Sequence, residues 1–412
     1  MIAPDFIPVW SGVGSYRIEL VKHLPNDIEL HILTTRRMIP NAASSALTRG
    51  GSAFEGLNRD IHVHAISSAQ DTFLYHGKFQ YACFRNLPRL QKEFRFNLIH
   101  TDFPLMSDIL VQLFSKMRVR TISSVHTTIQ GQSLGVRWAE KRLSKLPQSD
   151  LANLLLLLPL ELCEYLYLRR VPYFIATSNY AKMELQKYFP FVASKYLPVI
   201  QYGVDTELFS PSSTPVRKDL QDIHSLNRPV VLFTGRFVAS KGIYTLIQAI
   251  PKILQANPSV LFLFVGGGDS RQYAQELRSR GVPEDNFRFL GYVDYFDMPQ
   301  VYSLASVFVV PSLYEGLPLR ILEAMSCGRA TVATQVCGIP EIIEQGRNGI
   351  LVSPNNHEEL ARDIVLLLED DSFAKKLGKR ARETVIQRFS ASQMASKTLD
   401  VYRRCVDGRT EG

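Results

Sequence analysis

The chain has 412 residues, of which 46% are hydrophobic and 21% charged. This length exceeds what one hydrophobic core usually organises, so we expect two domains, and the composition excludes a disordered or low-complexity protein. The five cysteines include no C-x-x-C pair, which argues against a disulfide framework or a zinc site and favours a cytoplasmic protein.

The net charge of +8 is unevenly distributed along the chain. Residues 1–200 carry 23 Lys and Arg against 15 Asp and Glu, whereas residues 201–412 carry 24 of each class. An anionic partner is therefore expected to contact the first half. Nucleic acid is disfavoured as that partner, because the basic residues are not interleaved with aromatic stacking motifs.

The N-terminal segment has neither the basic start nor the apolar stretch of a signal peptide. Only Met1 to Ala3 precede "PDFIPVWSGVG", so either the first strand is short or the recorded sequence begins inside the natural one. The most apolar segment, residues 151–170, contains Pro159, Glu161 and Glu164. We do not expect it to span a membrane, because a spanning helix needs about 20 nearly uninterrupted apolar residues.

Short apolar runs rich in β-branched residues alternate with helical patterns. Each run is too continuous for a half-exposed strand and is typical of a parallel strand covered on both faces. In chain order the runs are IELHILT, IHVHAI, NLIHT, VRTISSVH, YFIATS, LPVIQYG, PVVLFTG, VLFLFVGG, FRFLG, VFVVPS, ATVAT and GILVSP. The alternation predicts an α/β protein with two Rossmann-like, doubly wound parallel sheets.

Proline and serine cluster in residues 203–220, between a finished strand and a new one, which is typical of a domain boundary. We therefore predict a first domain over residues 1–205 and a second over residues 206–385. The helical remainder, residues 386–412, is expected to pack back toward the first domain.

Gly12 and Gly14 follow the first predicted strand and precede the helical pattern SYRIELVKHL. Glycines at such a turn let backbone amides approach a phosphate at the helix N-terminus. A dinucleotide-binding turn would have a third glycine where Arg17 stands, so an NAD dehydrogenase is disfavoured. A plain tight turn remains the alternative.

Two cations follow the first strand of the second domain, in "GRFVASKG". Arg236 and Lys241 are placed where α/β sheets bind ligands, and they suit a diphosphate. Gly267 lies in the triple glycine that ends the next strand, where it permits close backbone approach. Solvated surface cations and a flexible turn are the alternative interpretations.

Two glutamates, Glu315 and Glu323, are separated by seven residues in "YEGLPLRILEAMSCG". Pro318 suits the first position of a helix, so the amides of Gly316 and Leu317 are expected at its positive end. Glu315 then precedes the helix and Glu323 lies on it, where the two carboxylates accept hydroxyls on either side of one diphosphate. Surface glutamates on a helix are the alternative.

This stretch resembles the E-x7-E motif of the retaining family-4 glycosyltransferases, which have the GT-B fold. Further motifs follow in the family's order over almost the whole chain. They are SGVG, SVHTT, IATSNYAKMEL, QYGVDTELFSP, GRFVASKG, FVGGGD, FLGYV, VFVVPSLYEG and GIPEIIEQGRNGILV. The resemblance implies two domains facing across a cleft and transfer of a hexosyl group from a UDP- or GDP-linked sugar.

The resemblance also implies roles for individual residues. Glu315 contacts the donor sugar, Glu323 the ribose, and Arg236 and Lys241 the diphosphate. The glycine turn completes the phosphate site, and His126 lies beside the transferred sugar. The chain departs from the family's usual pattern at Tyr202, commonly Asn, which we interpret as a change in the linker, and at Thr127, often Asp.

The implied mechanism is a front-face displacement, in which the acceptor attacks on the leaving-group side and the configuration is retained. The chain contains no D-x-D triplet, so we predict chemistry without a metal. We expect no cofactor beyond the donor substrate.

Residues 135–160, which follow His126, are the one segment of the sequence that indicates the class of acceptor. A basic set backed by a leucine run is typical of an interfacial element for anionic lipids. Its members are Arg137, Lys141, Arg142 and Lys145. This favours a lipid or lipid-linked glycan acceptor at the inner face of the cell membrane, and a solvated helix leading into a core helix is the alternative.

Three other functions remain as alternatives. A soluble transferase would use a small sugar or metabolite as acceptor. A catalytically silent GT-B binding subunit is expected to lack one of Glu315, Glu323, Arg236 or Lys241, and all four are present. A nucleotide-sugar epimerase is disfavoured by the E-x7-E context and the GIPE segment.

Overall fold

The structure is a computed structural model that describes residues 1–6, 11–37, 61–69, 75–117, 119–133, 157–211 and 217–408. These residues form two compact units. One comprises the described residues within Met1–Ser133, Leu146–Tyr202 and Ala391–Gly412, and the other those within Gly203–Ser390. The boundary between the units follows Tyr202, whereas the predicted boundary follows residue 205.

The first unit alternates strands and helices. Its strands are β1 Leu30–Arg37, β2 Ile61–Ala69, β3 Leu98–Phe103, β4 Arg120–Val125 and β5 Tyr173–Ala176. Its helices are α1 Gly12–His23, α2 Tyr75–Phe94, α3 Ile109–Phe114, α4 Leu157–Arg170, α5 Asn179–Tyr188 and, from the end of the chain, α13 Ala391–Asp407.

The N-terminal residues join two groups of parallel strands in this unit. β1 pairs with β2, and β3, β4 and β5 pair in that order. The Ile2 amide donates to the carbonyl of His100 on β3, and the Ala3 amide donates to the carbonyl of Leu33 on β1. Residues 1–3 therefore form a bridging segment between β1 and β3.

The second unit contains one six-stranded parallel sheet. Its strands are β6 Val230–Thr234, β7 Leu261–Val265, β8 Phe287–Gly291, β9 Val307–Val310, β10 Ala330–Thr334 and β11 Ile350–Val352. Its helices are α6 Lys218–Ser225, α7 Ile243–Ala256, α8 Arg271–Ser279, α9 Met298–Ser303, α10 Leu319–Ser326, α11 His357–Glu369 and α12 Asp371–Arg388.

The order of this sheet is β11-β10-β9-β6-β7-β8. The chain winds from β6 toward β8 and then from β9 toward β11 on the other side, so the winding direction reverses between β6 and β9. Every residue of β6, β7, β9 and β10 is buried, which confirms the prediction of coverage on both faces for these four strands. The prediction is wrong for β2 and β8, which contain exposed residues. Ligands of doubly wound sheets bind beyond the strand ends at such a reversal.

Two features differ from the sequence analysis or bear on it. The run LPVIQYG forms one isolated bridge to β5, at Val199, rather than a named strand, and Tyr196 just before the run forms another, because Pro198 and the short β5 limit the pairing. Within the described residues, no helix is long and apolar enough to cross a membrane.

Candidate functional site

The reversal point of the second sheet brings together a lysine and a glutamate that lie 74 positions apart in sequence. Lys241 ends a short 3₁₀ helix, Ala239–Lys241, after β6, and Glu315 follows β9. Lys241 Nζ lies 2.8 Å from Glu315 Oε1. The two side chains therefore meet at the sheet edge where the topology predicts a ligand.

Glu315 is a buried carboxylate held by three donors. Lys241 Nζ, Arg320 Nη2 and the Ser312 hydroxyl all donate to its Oε1. Burial by itself would raise the pKa of Glu315, but the charges of Lys241 and Arg320 outweigh it and lower the pKa to about 2. The group is thus an anion at neutral pH, and its Oε2 receives no hydrogen bond from the described residues.

Positive charge exceeds negative charge around this carboxylate. Burial lowers the pKa of Lys241, the attraction of Glu315 opposes this, and Arg320 and Arg236 lower it further. Arg236 is exposed and forms no ion pair within the described residues. Three cations against one carboxylate leave a local excess that a diphosphate would neutralise.

Two glycines beside this site, Gly235 and Gly266, occupy positions where a larger side chain would collide with neighbouring atoms. A Cβ on Gly235 would lie 2.5 Å from Arg320 Nη1, and one on Gly266 would lie 1.9 Å from the Gly235 carbonyl oxygen. Gly267, the predicted phosphate contact, has no atom within 4 Å of an added Cβ. A side chain would therefore have room at Gly267, whereas close packing requires glycine at Gly235 and Gly266.

The helix after Glu315 begins one residue later than predicted. Pro318 has extended φ and ψ angles and is the N-cap, and α10 begins at Leu319, so the assignment of Pro318 to the first helical position is wrong. Gly316 and Leu317 precede the cap. A Cβ on Gly338 would lie 2.0 Å from the Gly316 carbonyl oxygen, so the GIPE segment packs closely against this turn.

Glu323 lies on α10 and is buried. Its Oε2 accepts a hydrogen bond from the Tyr302 hydroxyl at 2.6 Å. Burial raises the pKa of Glu323 to about 7, although the Tyr302 hydrogen bond and the charge of Arg320 act in the opposite direction. Near neutral pH Glu315 is therefore ionised, whereas Glu323 is partly protonated. A surface location is excluded for both.

In the first unit the glycine motif belongs to a helix rather than to a turn before one. α1 begins at Gly12, and the Ser11 hydroxyl caps it by accepting from the Gly14 amide. The prediction of a turn at Gly12 and Gly14 is wrong in this respect, because the serine cap lets the helix begin at the glycines.

Arg17 on α1 belongs to a buried polar cluster. Its Nη2 lies 2.5 Å from Asp102 Oδ1, and its Nε donates to Asp102 Oδ2 at 3.2 Å. His126 Nε2 lies 2.8 Å from the same Asp102 Oδ1, and His126 Nδ1 contacts the Tyr202 hydroxyl. The four residues form one chain of hydrogen bonds from α1 to Tyr202, the last residue before the sequence passes into the second unit.

Both ring nitrogens of His126 are thereby engaged within the protein, and the residue is only 6% exposed. A ligand reaches a ring nitrogen only by displacing Asp102 or Tyr202. The interpretation of Tyr202 as a linker change is wrong, because its buried hydroxyl holds the His126 ring.

The family models match both halves of the chain. The Glycosyltransferase Family 4 model covers residues 10–208, and the model of glycosyl transferases group 1 covers residues 217–384. The chain belongs to glycosyltransferase family 4. The GT-B fold that the sequence predicts is likewise confirmed.

Individual relatives of this family-4 protein match it in part. The chain is 33% identical to α-maltose-1-phosphate synthase of Mycolicibacterium smegmatis, over 56% of this chain and 62% of that protein. It is 29% identical to the GDP-mannose-dependent α-(1-6)-phosphatidylinositol monomannoside mannosyltransferase of Mycobacterium tuberculosis, over 55% of this chain and 60% of that protein. The chain thus spans less than two thirds of these curated relatives.

Solved structures extend the likeness of fold to the whole family-4 chain. HepE of Anabaena, solved in complex with UDP-glucose, superposes with a TM-score of 0.71 at 20% identity, and the match covers 98% of both chains. At this identity the likeness concerns the fold alone.

Sequence reasoning missed three residues of the family-4 protein that the structure brings to its predicted site residues, namely Arg320 and Tyr302 in the second unit and Asp102 in the first. It noted Tyr202 but not its contact with His126. Arg320 offered a signal, since it lies five positions after Glu315 in the same motif. The basic set Arg137, Lys141, Arg142 and Lys145 lies outside the described residues.

The raised pKa of Glu323 predicts a pH-dependent stability. Between its ordinary value of 4.5 and about 7, the folded chain keeps a proton that the unfolded chain has released. The free energy of unfolding therefore falls as the pH rises through this window, by up to about 3 kcal/mol from this group. Glu323→Gln removes the titrating group. The melting temperature of the variant minus that of the parent should therefore increase from pH 5 to pH 8.

Glu383→Gln, a change at an exposed glutamate of α12, is the matched control. Its melting temperature should follow that of the parent across the same range. An equal offset between Glu323→Gln and the parent at pH 5 and pH 8 would contradict the assigned charge state.

Proposed function

We propose that this chain transfers a hexosyl group from a nucleotide-diphosphate sugar to an acceptor hydroxyl, with retention of configuration. The observation that carries the proposal is the excess of cations around the anionic Glu315 at the reversal point of the second sheet. Lys241 and Arg320 both contact that carboxylate, and exposed Arg236 is close enough to lower the Lys241 pKa.

In this function the diphosphate interacts with Arg236 and Lys241, at the open edge beside Gly267. Glu315, fixed by its three donors, presents its Oε2 to a hydroxyl of the donor sugar. Glu323 accepts hydroxyls of the ribose. Partial protonation of Glu323 near neutral pH lowers the cost of burying it in the free protein, and ribose binding then favours its ionised form.

The transfer step needs stabilisation of the departing diphosphate and of an oxocarbenium-like sugar. The bond between the anomeric carbon and the phosphate oxygen breaks, and the acceptor oxygen forms a bond to the same face of that carbon. The acceptor proton passes to the leaving phosphate oxygen. Lys241 and Arg236 stabilise the charge that develops on the phosphate.

The relatives support a nucleotide-sugar donor without selecting its base. HepE was solved with UDP-glucose, and the Mycobacterium tuberculosis relative is named for its dependence on GDP-mannose. Either chemistry is compatible with the proposed role of Glu323, because both nucleotides carry the same ribose.

A panel of UDP- and GDP-linked hexoses tests the function. We expect release of nucleoside diphosphate from at least one of them with a cell-derived glycolipid fraction present, and an axial anomeric product from an axial donor by NMR. Binding without release from any donor, with lipid or soluble acceptors, would favour the silent binding subunit instead.

Transfer is expected to survive chelation. The cations around Glu315 take the part that a divalent metal plays on a diphosphate, so EDTA at room temperature should leave the initial rate within about twofold of the untreated rate. Nucleoside diphosphate release is the measurement. Loss of activity on chelation, restored by Mg²⁺ or Mn²⁺, would overturn the metal-free mechanism.

For the acceptor we propose a lipid or lipid-linked glycan, reached by peripheral binding of the first half of the chain to an anionic membrane. The support is the charge distribution, since the whole surplus of eight lies in residues 1–200. The relative named for phosphatidylinositol monomannoside acts on a lipid of this class. A small soluble acceptor is the alternative.

Vesicle sedimentation tests this proposal. Basic residues near an anionic surface contribute about 1 kcal/mol each, so removing the charges of Arg137, Lys141, Arg142 and Lys145 should abolish most of the binding. Binding should also weaken with added salt. Equal failure of the parent to sediment with anionic and with neutral vesicles would favour the soluble acceptor.

A further inference from the structure

A histidine cluster lies on one face of the paired strands β1 and β2, and it includes none of the residues assigned to glycosyl transfer. His31 pairs with His62 in the parallel register, and Leu33 pairs with His64. Because side chains alternate along a strand, His62 and His64 point to the same face, and His31 points there beside them. Glu29, two residues before His31, completes the cluster.

The ligand atoms of this cluster converge. Oε1 of Glu29, a ring nitrogen of His31 and one of His62 all lie within 4.8 Å of one another. His31 Nε2 is 2.9 Å and His62 Nε2 is 3.8 Å from Glu29 Oε1. Ligands of a tetrahedral ion with bonds of about 2.1 Å lie about 3.4 Å apart, so small side-chain movements suffice to bring the three atoms to this spacing.

The fourth member, His64, faces the other ring nitrogen of His31. Without an ion, His31 Nε2 donates to Glu29 Oε1 at 2.9 Å. An ion bound at Nε2 replaces that proton, and His31 Nδ1, which lies 3.0 Å from His64 Nε2, then carries the remaining ring proton and donates it to His64. Metal-binding histidines are commonly fixed in this way by a hydrogen bond from the other nitrogen. Phe94 and Phe96 pack against the His31 ring at centroid distances of 4.3 and 5.0 Å, which restricts its rotation.

We propose that Glu29, His31 and His62 bind a divalent first-row transition ion of the zinc type, with His64 as a positioning residue. Two imidazoles and one carboxylate are a ligand set that zinc uses with a water in the fourth position. Imidazole ligands disfavour Mg²⁺ and Ca²⁺, which require oxygen. The site stabilises the pairing of β1 with β2 and takes no part in glycosyl transfer.

The test uses the full chain without a polyhistidine tag, stripped with EDTA and freed of the chelator. Co²⁺ serves as the probe, because its visible absorption reports on coordination by nitrogen and oxygen, and Zn²⁺ competes for the same site. We expect one Co²⁺ per chain, displaced by one Zn²⁺, and a rise in the melting temperature of the parent with Zn²⁺.

Two variants remove a ligand at exposed positions, so their folding is not at risk. The His62 and Glu29 side chains are 50% and 67% exposed, and His62→Ala and Glu29→Gln should each weaken Co²⁺ binding at least about tenfold. His64→Ala should weaken it by about 10- to 100-fold, the usual effect of losing a supporting hydrogen bond.

His224→Ala, at an exposed histidine of α6, is the control and should bind Co²⁺ like the parent. Absence of Co²⁺ binding by the parent would overturn the site. Parent-like affinity in both His62→Ala and Glu29→Gln would overturn it too, since the ion would then bind elsewhere.

Discussion

Lys241→Ala should lower kcat/KM for glycosyl transfer by about 10²- to 10³-fold, the usual loss when one preorganised donor to a developing anion is removed. Lys241 is one of the two cations assigned to the leaving diphosphate, and it also orients Glu315 through its 2.8 Å contact. The variant should fold, because Arg320 and Ser312 still hold the Glu315 carboxylate. Donor-dependent release of nucleoside diphosphate is the measurement.

Lys252→Ala is the matched control. Lys252 lies on α7 in the same unit and forms an ion pair with Glu358, and both side chains are largely exposed. Replacing Lys252 removes the same charge as replacing Lys241. It should leave kcat/KM within about twofold of the parent value, because Lys252 has no assigned role in transfer and an exposed ion pair contributes little to stability. A folded Lys241→Ala protein that transfers sugar at the parent rate would exclude Lys241 from the site.

Asp102→Asn should lower the free energy of unfolding of the first unit by about 3 to 5 kcal/mol, because breaking a buried ion pair leaves an uncompensated charge. Arg17 is 1% exposed and the Asp102 side chain is fully buried. Burial tends to raise the pKa of Asp102, but Arg17 and His126 outweigh it and the pKa falls. The carboxylate is therefore ionised in the native state, and urea unfolding measures its loss.

Asp219→Asn is the comparison for an exposed ion pair. Asp219 pairs with Arg217, with 45% and 33% of the two side chains exposed. This variant should lose less than about 1 kcal/mol. If Asp102→Asn and Asp219→Asn lower the free energy of unfolding by the same small amount, Arg17 does not depend on the charge of Asp102 and the prediction is contradicted.

The sequence predicts the framework of this molecule well. Eleven of the twelve apolar runs contain a named strand, because strands covered on both faces must be continuously apolar and this pattern is local. The E-x7-E motif places Glu315 before α10 and Glu323 on it as expected. These features depend on residues a few positions apart.

The contacts that set charge and orientation depend on distant residues and escape such reasoning. Asp102 lies 85 positions from Arg17, and Tyr202 lies 76 positions from His126. Tyr302 on α9 donates a hydrogen bond to Glu323, and no periodic pattern in the sequence indicates that contact. The raised pKa of Glu323 is likewise a consequence of burial in the folded unit.

The most direct test of the donor site is a calorimetric titration at pH 8 with UDP, GDP and their 2′-deoxy forms. The parent should bind UDP or GDP at least about tenfold more tightly than the deoxy form, because Glu323 would lose a hydroxyl to accept. Glu323→Ala should bind both forms weakly and alike. A parent that binds neither nucleotide, or binds ribose and deoxyribose forms equally, would contradict the assignment of this site.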